Sequence, residues 1–284
     1  WRASIEPLAG SSAGEALIAR AASYARHSGN ISCLFDYDTM EPLIDQPPFQ
    51  RALQELVAAN SGDAQAAIAT SHANARQLLL SGKCALALPW PAQQTTGEAE
   101  SEGDLPIACA PLPGADAIYN SRAGEWEITS EPSHASLLGV AGLVGSVTNS
   151  ARHTGSAAAA LVWLASSEVA PAIAMPNAAC SLCRSTQVRQ GSAWAAPEYG
   201  DASQQYANIV QQDKSRTLWC FAIRIPGRQR YMQALSDAVR AAVIGEKSPE
   251  SALADAANQW REITADLGMK AQQAAYARSL GIER

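Results

Sequence analysis

Arg224-Ile-Pro-Gly227 opens a stretch that runs through Gly245-Glu-Lys-Ser-Pro249 to Gly268, and its reading decides the class of fold. Behind Gly227, Tyr231, Leu235, Ala238, Val239, Ala242 and Val243 recur at the 3.6-residue period of one helix face. The pattern stops at Gly245. Ser248 is then placed to cap a second helix with Pro249 at its first position. That helix presents Leu253, Ala257, Trp260, Thr264 and Leu267 on one face before Gly268 ends it. The spacing therefore predicts an amphipathic helical hairpin at the end of the chain.

Upstream of it, helical and extended patterns alternate. Helices are predicted over 13–28, 49–59, 64–80 and 155–166, and strands over 31–35, 83–90, 105–112 and 137–147. Between them, 93–104 is polar and acidic with two glycines, the composition of a surface loop. Strands separated by helices argue for α/β layers. No internal repeat and no low-complexity linker interrupts them.

Composition narrows the function classes. The 284 residues are 47% hydrophobic and 17% charged, enough apolar content for a core and too little charge for a disordered chain. The net charge of −6 comes without a basic cluster, which argues against nucleic acid as a partner, because neutralising phosphates needs grouped Lys and Arg. No window of 18 apolar residues predicts a membrane-spanning helix. Trp1 follows neither an initiator Met nor a signal-peptide pattern, so the chain is expected to be processed, trimmed or part of something longer.

Six cysteines leave the compartment open. Cys33, Cys84 and Cys109 lie in short apolar runs and read as buried small side chains. Cys180 and Cys183 form a single CxxC with no second pair to complete a zinc site, so a loop disulfide, with Cys220 as one partner, or structural thiols are expected before a metal. Neither a Gly-x-Ser-x-Gly elbow, a phosphate loop nor HExxH is present, and His27, His72, His134 and His153 are scattered. Glu125 and Glu127 flank Trp126 on one extended segment, without the opposed geometry of a glycosidase pair. No catalytic residue, metal or cofactor is assigned.

The ordered series of segments resembles one family. "FQRALQELVAA" followed by "LLLSGKCALALPWP", then "LPIACAPLPGA", "SLLGVAGLVGSVTNSARHTGSAAAALVWLASSE" and "CRSTQV", closed by "YMQAL" and "AVRAAVIGEKSPESALADAANQW", is similar to bacterial extracellular solute-binding proteins of the maltose-binding type. The resemblance begins near Ser32 and rests on order more than on any single motif. Cys183 stands where the family commonly has proline. It implies a periplasmic-binding-protein-like α/β fold of two lobes. Residues 1–133 and 185–284 would form the C-terminal lobe, and residues 134–184 the returning segment of the N-terminal lobe. The βαβ segment with which the family opens has no counterpart here, so a fragment of a longer protein is expected. The returning segment would then expose an apolar strand and helix.

The resemblance also implies a role: capture of a small solute, commonly a sugar or oligosaccharide, in a cleft between lobes for delivery to an ABC permease, outside the cytoplasm and with a lipid anchor as one option. A divergent interaction module and a carbohydrate-active enzyme are the alternatives. Sugar sites use aromatic faces and a few fixed polar groups. Trp90 ends a strand where the family places a ligand-facing residue, with a core or lobe-edge position as the alternative. Trp126 lies in the charged Gly124-Glu-Trp-Glu127, an unusual setting for a packing residue. Tyr119 follows the Pro113-Gly114 turn. Asp36 and Tyr37 end a strand, and the pair Asp36 and Asp38 reads either as a hydroxyl or calcium site or as turn capping. Arg228, Arg230 and Tyr231 precede or begin the first closing helix, where the family presents side chains to the cleft; a solvated basic helix start is the other reading. Trp163 and Trp260 fall on apolar helix faces and are expected in the core.

Overall fold

Phe35, Tyr231, Trp260 and Tyr276 form one aromatic cluster at the centre of the main core, and the helices are arranged around it. The computed structural model describes residues 2–88, 107–139, 144–174, 200–216 and 218–282. In chain order these carry β1 (Arg2–Ile5), α1 (Ser12–Ala25), α2 (Pro47–Ala59), α3 (Ala64–Ala69), α4 (His72–Leu80) and β2 (Cys84–Ala87). There follow β3 (Ala115–Asn120), β4 (Glu125–Ser133), β5 (Ser136–Leu138), α5 (Thr154–Leu164) and α6 (Ala170–Ala174). The last part holds α7 (Ala202–Ser215), β6 (Trp219–Phe221), α8 (Arg228–Val243), α9 (Pro249–Leu267) and α10 (Met269–Ser279).

The closing hairpin forms for the reasons legible in its residues. Gly227 and Gly245 take φ of 80° and 79°, left-handed values that glycine adopts without a Cβ penalty. Ser248 Oγ accepts from the Ser251 N–H at 3.2 Å, which satisfies one of the unpaired donors of α9. The buried face of α8 packs on Leu253, Ala256, Ala257 and Trp260 of α9. Trp260 Nε1 donates to the Tyr231 carbonyl at 2.8 Å, so its one polar group is satisfied inside the core.

α1 lies across α2 and α8. Leu17, Ile18, Ala21 and Ala22 meet Phe49, Leu53 and Leu56 on one side and the α8 face on the other. Gly14 permits the close crossing with α8: its N–H donates to Ser236 Oγ at 3.1 Å, and a Cβ would stand 2.9 Å from that oxygen. β1 pairs with β2 and β5 with β6, both parallel, while β3 and β4 form an antiparallel hairpin. Parallel partners so distant in sequence require crossover connections, which is the α/β arrangement.

Several expectations are corrected. The predicted helix over 64–80 is two helices, because the Thr70 carbonyl accepts from both the Leu8 and Ala9 N–H groups at 3.0 Å and Ser71 then caps α4 through the Asn74 N–H. Residues 31–35 are not a strand; only Phe35 bridges, to Pro42, and Cys33, Leu34 and Phe35 instead lie in the core while Ile31 is exposed. Residues 107–112 are likewise irregular, and of the predicted strand over 137–147 only Leu137 and Leu138 lie in β5 among the described residues. Trp163, expected in the core, is 60% exposed beside Val162 at 67%. The apolar side chains of α5 surround the helix, and none of its residues is buried.

Candidate functional site

The β3–β4 hairpin is held against the end of α1 by one buried amide. Asn30 Nδ2 donates to the Ala25 carbonyl at 3.1 Å and to the Tyr119 carbonyl at 3.0 Å. Its Oδ1 accepts from the Ser121 N–H and Oγ, at 3.3 and 2.7 Å. The hairpin turn is closed by Asn120, whose Oδ1 accepts from the Arg122 and Ala123 N–H groups, and by Gly124 at φ 73°. This turn sets Tyr119 opposite Trp126 and Ile118 opposite Glu127.

Trp126 is consequently fixed among aromatic and cationic neighbours. Its ring meets Tyr119 edge-on at 5.4 Å between centroids and Tyr24 of α1 at 6.0 Å. The Arg51 guanidinium of α2 lies 4.5 Å from the Tyr24 ring centre and 5.4 Å from that of Trp126. Contacts of this kind contribute about 0.5–1 kcal/mol each at a partly exposed position. Trp126 keeps 37% of its surface open. The Tyr24 hydroxyl donates to Glu55, and Arg51 Nε donates to the same carboxylate at 3.2 Å. Burial, with that carboxylate alongside, pushes the Tyr24 phenol up, so it remains a neutral donor. Beside it, Asn120 Nδ2 donates to Glu127 at 2.7 Å and His27 lies 3.1 Å away, which together hold the Glu127 carboxyl below its usual range.

This arrangement offers a partly open indole, a phenol oxygen held in place by its bond to Glu55, and the paired charges of Arg51 and Glu55. It can stack against the apolar face of a small ligand and hydrogen-bond its hydroxyls. Among the described residues no three His, Cys, Asp or Glu side chains converge as a metal-ligand set. A groove of about 380 Å³ lies elsewhere, between α8 and α9, and four of its five charged groups pair with one another, Lys247 with Asp255 at 2.6 Å and Arg240 with Asp237 at 3.4 Å.

The fold has counterparts among solved structures. An ABC transporter solute-binding protein from Agrobacterium radiobacter K84, in complex with ribitol, superposes with a TM-score of 0.55 at 15% identity, covering 92% of this chain and 59% of its own. The fold is that of a solute-binding protein. Maltose-bound MalE3 of T. maritima gives a TM-score of 0.49 at 14% identity over 92% of this chain and 60% of its own. The chain thus spans about three fifths of the length of these binding proteins. No protein-family model matches the chain, and no curated protein does so either. Among the described residues no helix is long and apolar enough to cross a membrane.

Within the binding-protein fold, the residues singled out from the sequence separate into groups. Tyr119 and Trp126 come together, and the structure adds Tyr24, Arg51 and Asn30, which lie on helix faces or in a connection where no local pattern marks them. Trp90 lies outside the described residues. Tyr231 is fully buried, stands 5.5 Å from both Phe35 and Trp260 between ring centroids, and its hydroxyl bonds Thr264 at 2.9 Å; it is a core residue, not a cleft residue. Asp36 turns its Oδ1 onto its own loop, accepting from the Asp38 N–H at 3.0 Å and from the Thr39 N–H and hydroxyl at 2.8 Å. That is turn capping. Tyr37 packs against the main core. Arg228 stands 3.7 Å from Glu15 of α1, away from the aromatic patch, and its charge partly offsets the burial that raises the Glu15 carboxyl.

Proposed function

We propose that this chain is the larger part of a protein that captures a small polyhydroxylated solute, a sugar or polyol, and presents it to an ABC permease on the extracytoplasmic face of the membrane. The observation that carries the reading is the fold shared, over 92% of the chain, with a binding protein that holds ribitol. In this reading residues 1–133 and 185–284 belong to one lobe and residues 134–184 to the other. The ligand is bound and released unaltered.

The aromatic patch supplies the chemistry that such a ligand needs. Carbon-bound hydrogens of a sugar or polyol stack on an indole face, and hydroxyls can donate to fixed acceptors such as the Tyr24 phenol oxygen, whose own proton is given to Glu55. Trp126 and Tyr119 are the proposed contacts, with Trp90 as a further one from outside the described residues.

Calorimetric titration of the full-length protein with ribitol, maltose and a panel of sugars and polyols tests the reading. A member of the panel should bind, be recovered unchanged, and lose roughly tenfold or more in affinity in Trp126→Ala, about the 1–2 kcal/mol of one aromatic contact. Binding unaffected by Trp126→Ala removes the patch from the site. Consumption of the ligand, or no binding anywhere in the panel, overturns the role itself.

A further inference from the structure

The Arg51 guanidinium is pinned by its neighbours yet keeps its outer donors unused. Its centre lies 4.5 Å from the Tyr24 ring centre and 5.4 Å from that of Trp126, and its Nε donates to Glu55 at 3.2 Å. Among the described residues neither Nη1 nor Nη2 has a hydrogen-bond partner, and the side chain is nearly half exposed. The two parallel N–H donors at the end of the fork are therefore fixed in direction, beside a Trp126 ring that is itself partly open. The carboxylate that answers this charge is already engaged. The Tyr24 hydroxyl stands 2.9 Å from both oxygens of Glu55, and Arg20 Nη1 lies 4.0 Å from one of them. Arg20 in turn is bonded to the buried Glu6, its Nε donating at 2.9 Å. Glu125 and Glu127 precede and follow Trp126 on β4, so they point to the other face of the hairpin, where Glu127 accepts from Asn120. The Trp126 face thus has one cation with donors to spare, and among the described residues no carboxylate takes them up.

We infer that Arg51 selects the ligand: the solute is a sugar acid, a uronate or aldonate, whose carboxylate sits on the Arg51 fork while its carbon skeleton stacks on Trp126. The inference rests on the proposed capture of a polyhydroxylated solute at this patch and narrows it to the anionic members of that class. A carboxylate offers two coplanar oxygens that match two parallel N–H donors, and these charge-assisted bonds are stronger than those a hydroxyl makes. A phosphate ester fits less well. Its second negative charge finds no further unpaired cation at the patch among the described residues, and Glu55 stands next to the fork. The two aromatic contacts orient the guanidinium before the ligand arrives, so little side-chain freedom is lost when the acid binds. Arg51 is in this arrangement a specificity-determining residue, and Trp126 is the contact that acids and neutral sugars share.

Calorimetric titration of the full-length protein with matched probes tests the inference: glucose against glucuronate and gluconate, ribitol against ribonate, and glucose 6-phosphate as the doubly charged comparison. An acid should bind at least roughly tenfold more tightly than its neutral parent, the size of a charge-assisted pair of hydrogen bonds. That advantage should shrink as salt is raised from about 50 to about 500 mM. Arg51→Gln should bring the ratio of acid to neutral affinity close to one. Arg51→Lys, which keeps the charge without the planar fork, should hold the ratio in between. Neutral sugars that bind as well as their acids, glucose 6-phosphate binding more tightly than glucuronate, or a preference that survives Arg51→Gln each overturn the inference and leave sugar capture standing. Absence of binding by every probe removes the capture reading, and the inference with it.

Discussion

Phe35 and Trp260 stack with ring centroids 4.8 Å apart and planes inclined by 28°, joining the connection before α2 to the middle of α9. Tyr231 and Tyr276 close on the same Phe35 ring edge-on, so one phenyl group receives three aromatic partners from three helices. Trp260→Ala is expected to cost about 3–5 kcal/mol, the range for emptying a buried aromatic site, and Trp260→Phe substantially less. Urea denaturation monitored by circular dichroism reads both. A loss below about 1 kcal/mol in Trp260→Ala would mean that this stack is not central to the core.

Asn30 joins the end of α1 to the tip of the β3–β4 hairpin through two donated and two accepted hydrogen bonds. Asn30→Ala leaves the Tyr119 carbonyl and the Ser121 N–H without that partner and is expected to cost about 1–3 kcal/mol. Faster amide exchange should follow in residues 115–133 while α8 and α9 stay protected. Uniform loss of protection across the molecule would contradict this local role.

Two left-handed glycines of the closing hairpin should respond differently to alanine. At Gly245 nothing lies near the added Cβ, so Gly245→Ala meets only backbone strain of about 1–2 kcal/mol. At Gly227 a Cβ would also run into the Leu267 side chain next to Tyr231 and Ile263, adding an overpacking cost of roughly 1–3 kcal/mol. Thermal melts of the two variants should therefore rank Gly227→Ala clearly below Gly245→Ala; equal melting temperatures would refute the steric difference.

Burial lowers the His72 imidazole to about 4. The unfolded chain takes up this proton near pH 6.5 and the folded chain only near 4, so the unfolded state holds more protons between those values. Stability should fall as pH drops through this window, by about 1 kcal/mol once the incomplete cover of the ring is allowed for. His72→Gln should flatten that part of the stability–pH curve. An unchanged slope in the variant would assign the acid sensitivity to other groups.

Where local chemistry decides the structure, the sequence was a sound guide. The caps at Gly245, Ser248 and Pro249 and the apolar faces of α8 and α9 act within a few residues of one another, and the helices start and stop where those residues indicate. The break between α3 and α4 was not legible, because the Thr70 carbonyl is engaged by Leu8 and Ala9 from another part of the chain. Met269–Ser279 has a weak apolar pattern, and its helix is fixed by Tyr276 reaching Phe35 and Ser32. The site divides in the same way. Trp126 drew attention by its charged surroundings, whereas Tyr24, Arg51 and Asn30 acquire their roles only when the hairpin folds onto α1 and α2. Tyr231 misled because the first turn of α8 faces the core at that residue.

The Phe35 stack also has a consequence in time. Phe35 leaves the ribosome before Trp260 and Tyr276, which are made more than two hundred residues later, a delay of roughly 10–45 s at 5–20 residues per second. Throughout that interval the apolar faces of α1 and α2 have each other but not α8, α9 or α10. Completion of this core is thus tied to the end of synthesis of the segment, and a nascent chain stalled before α9 should stay protease-sensitive and dependent on chaperones, however well its first helices have formed.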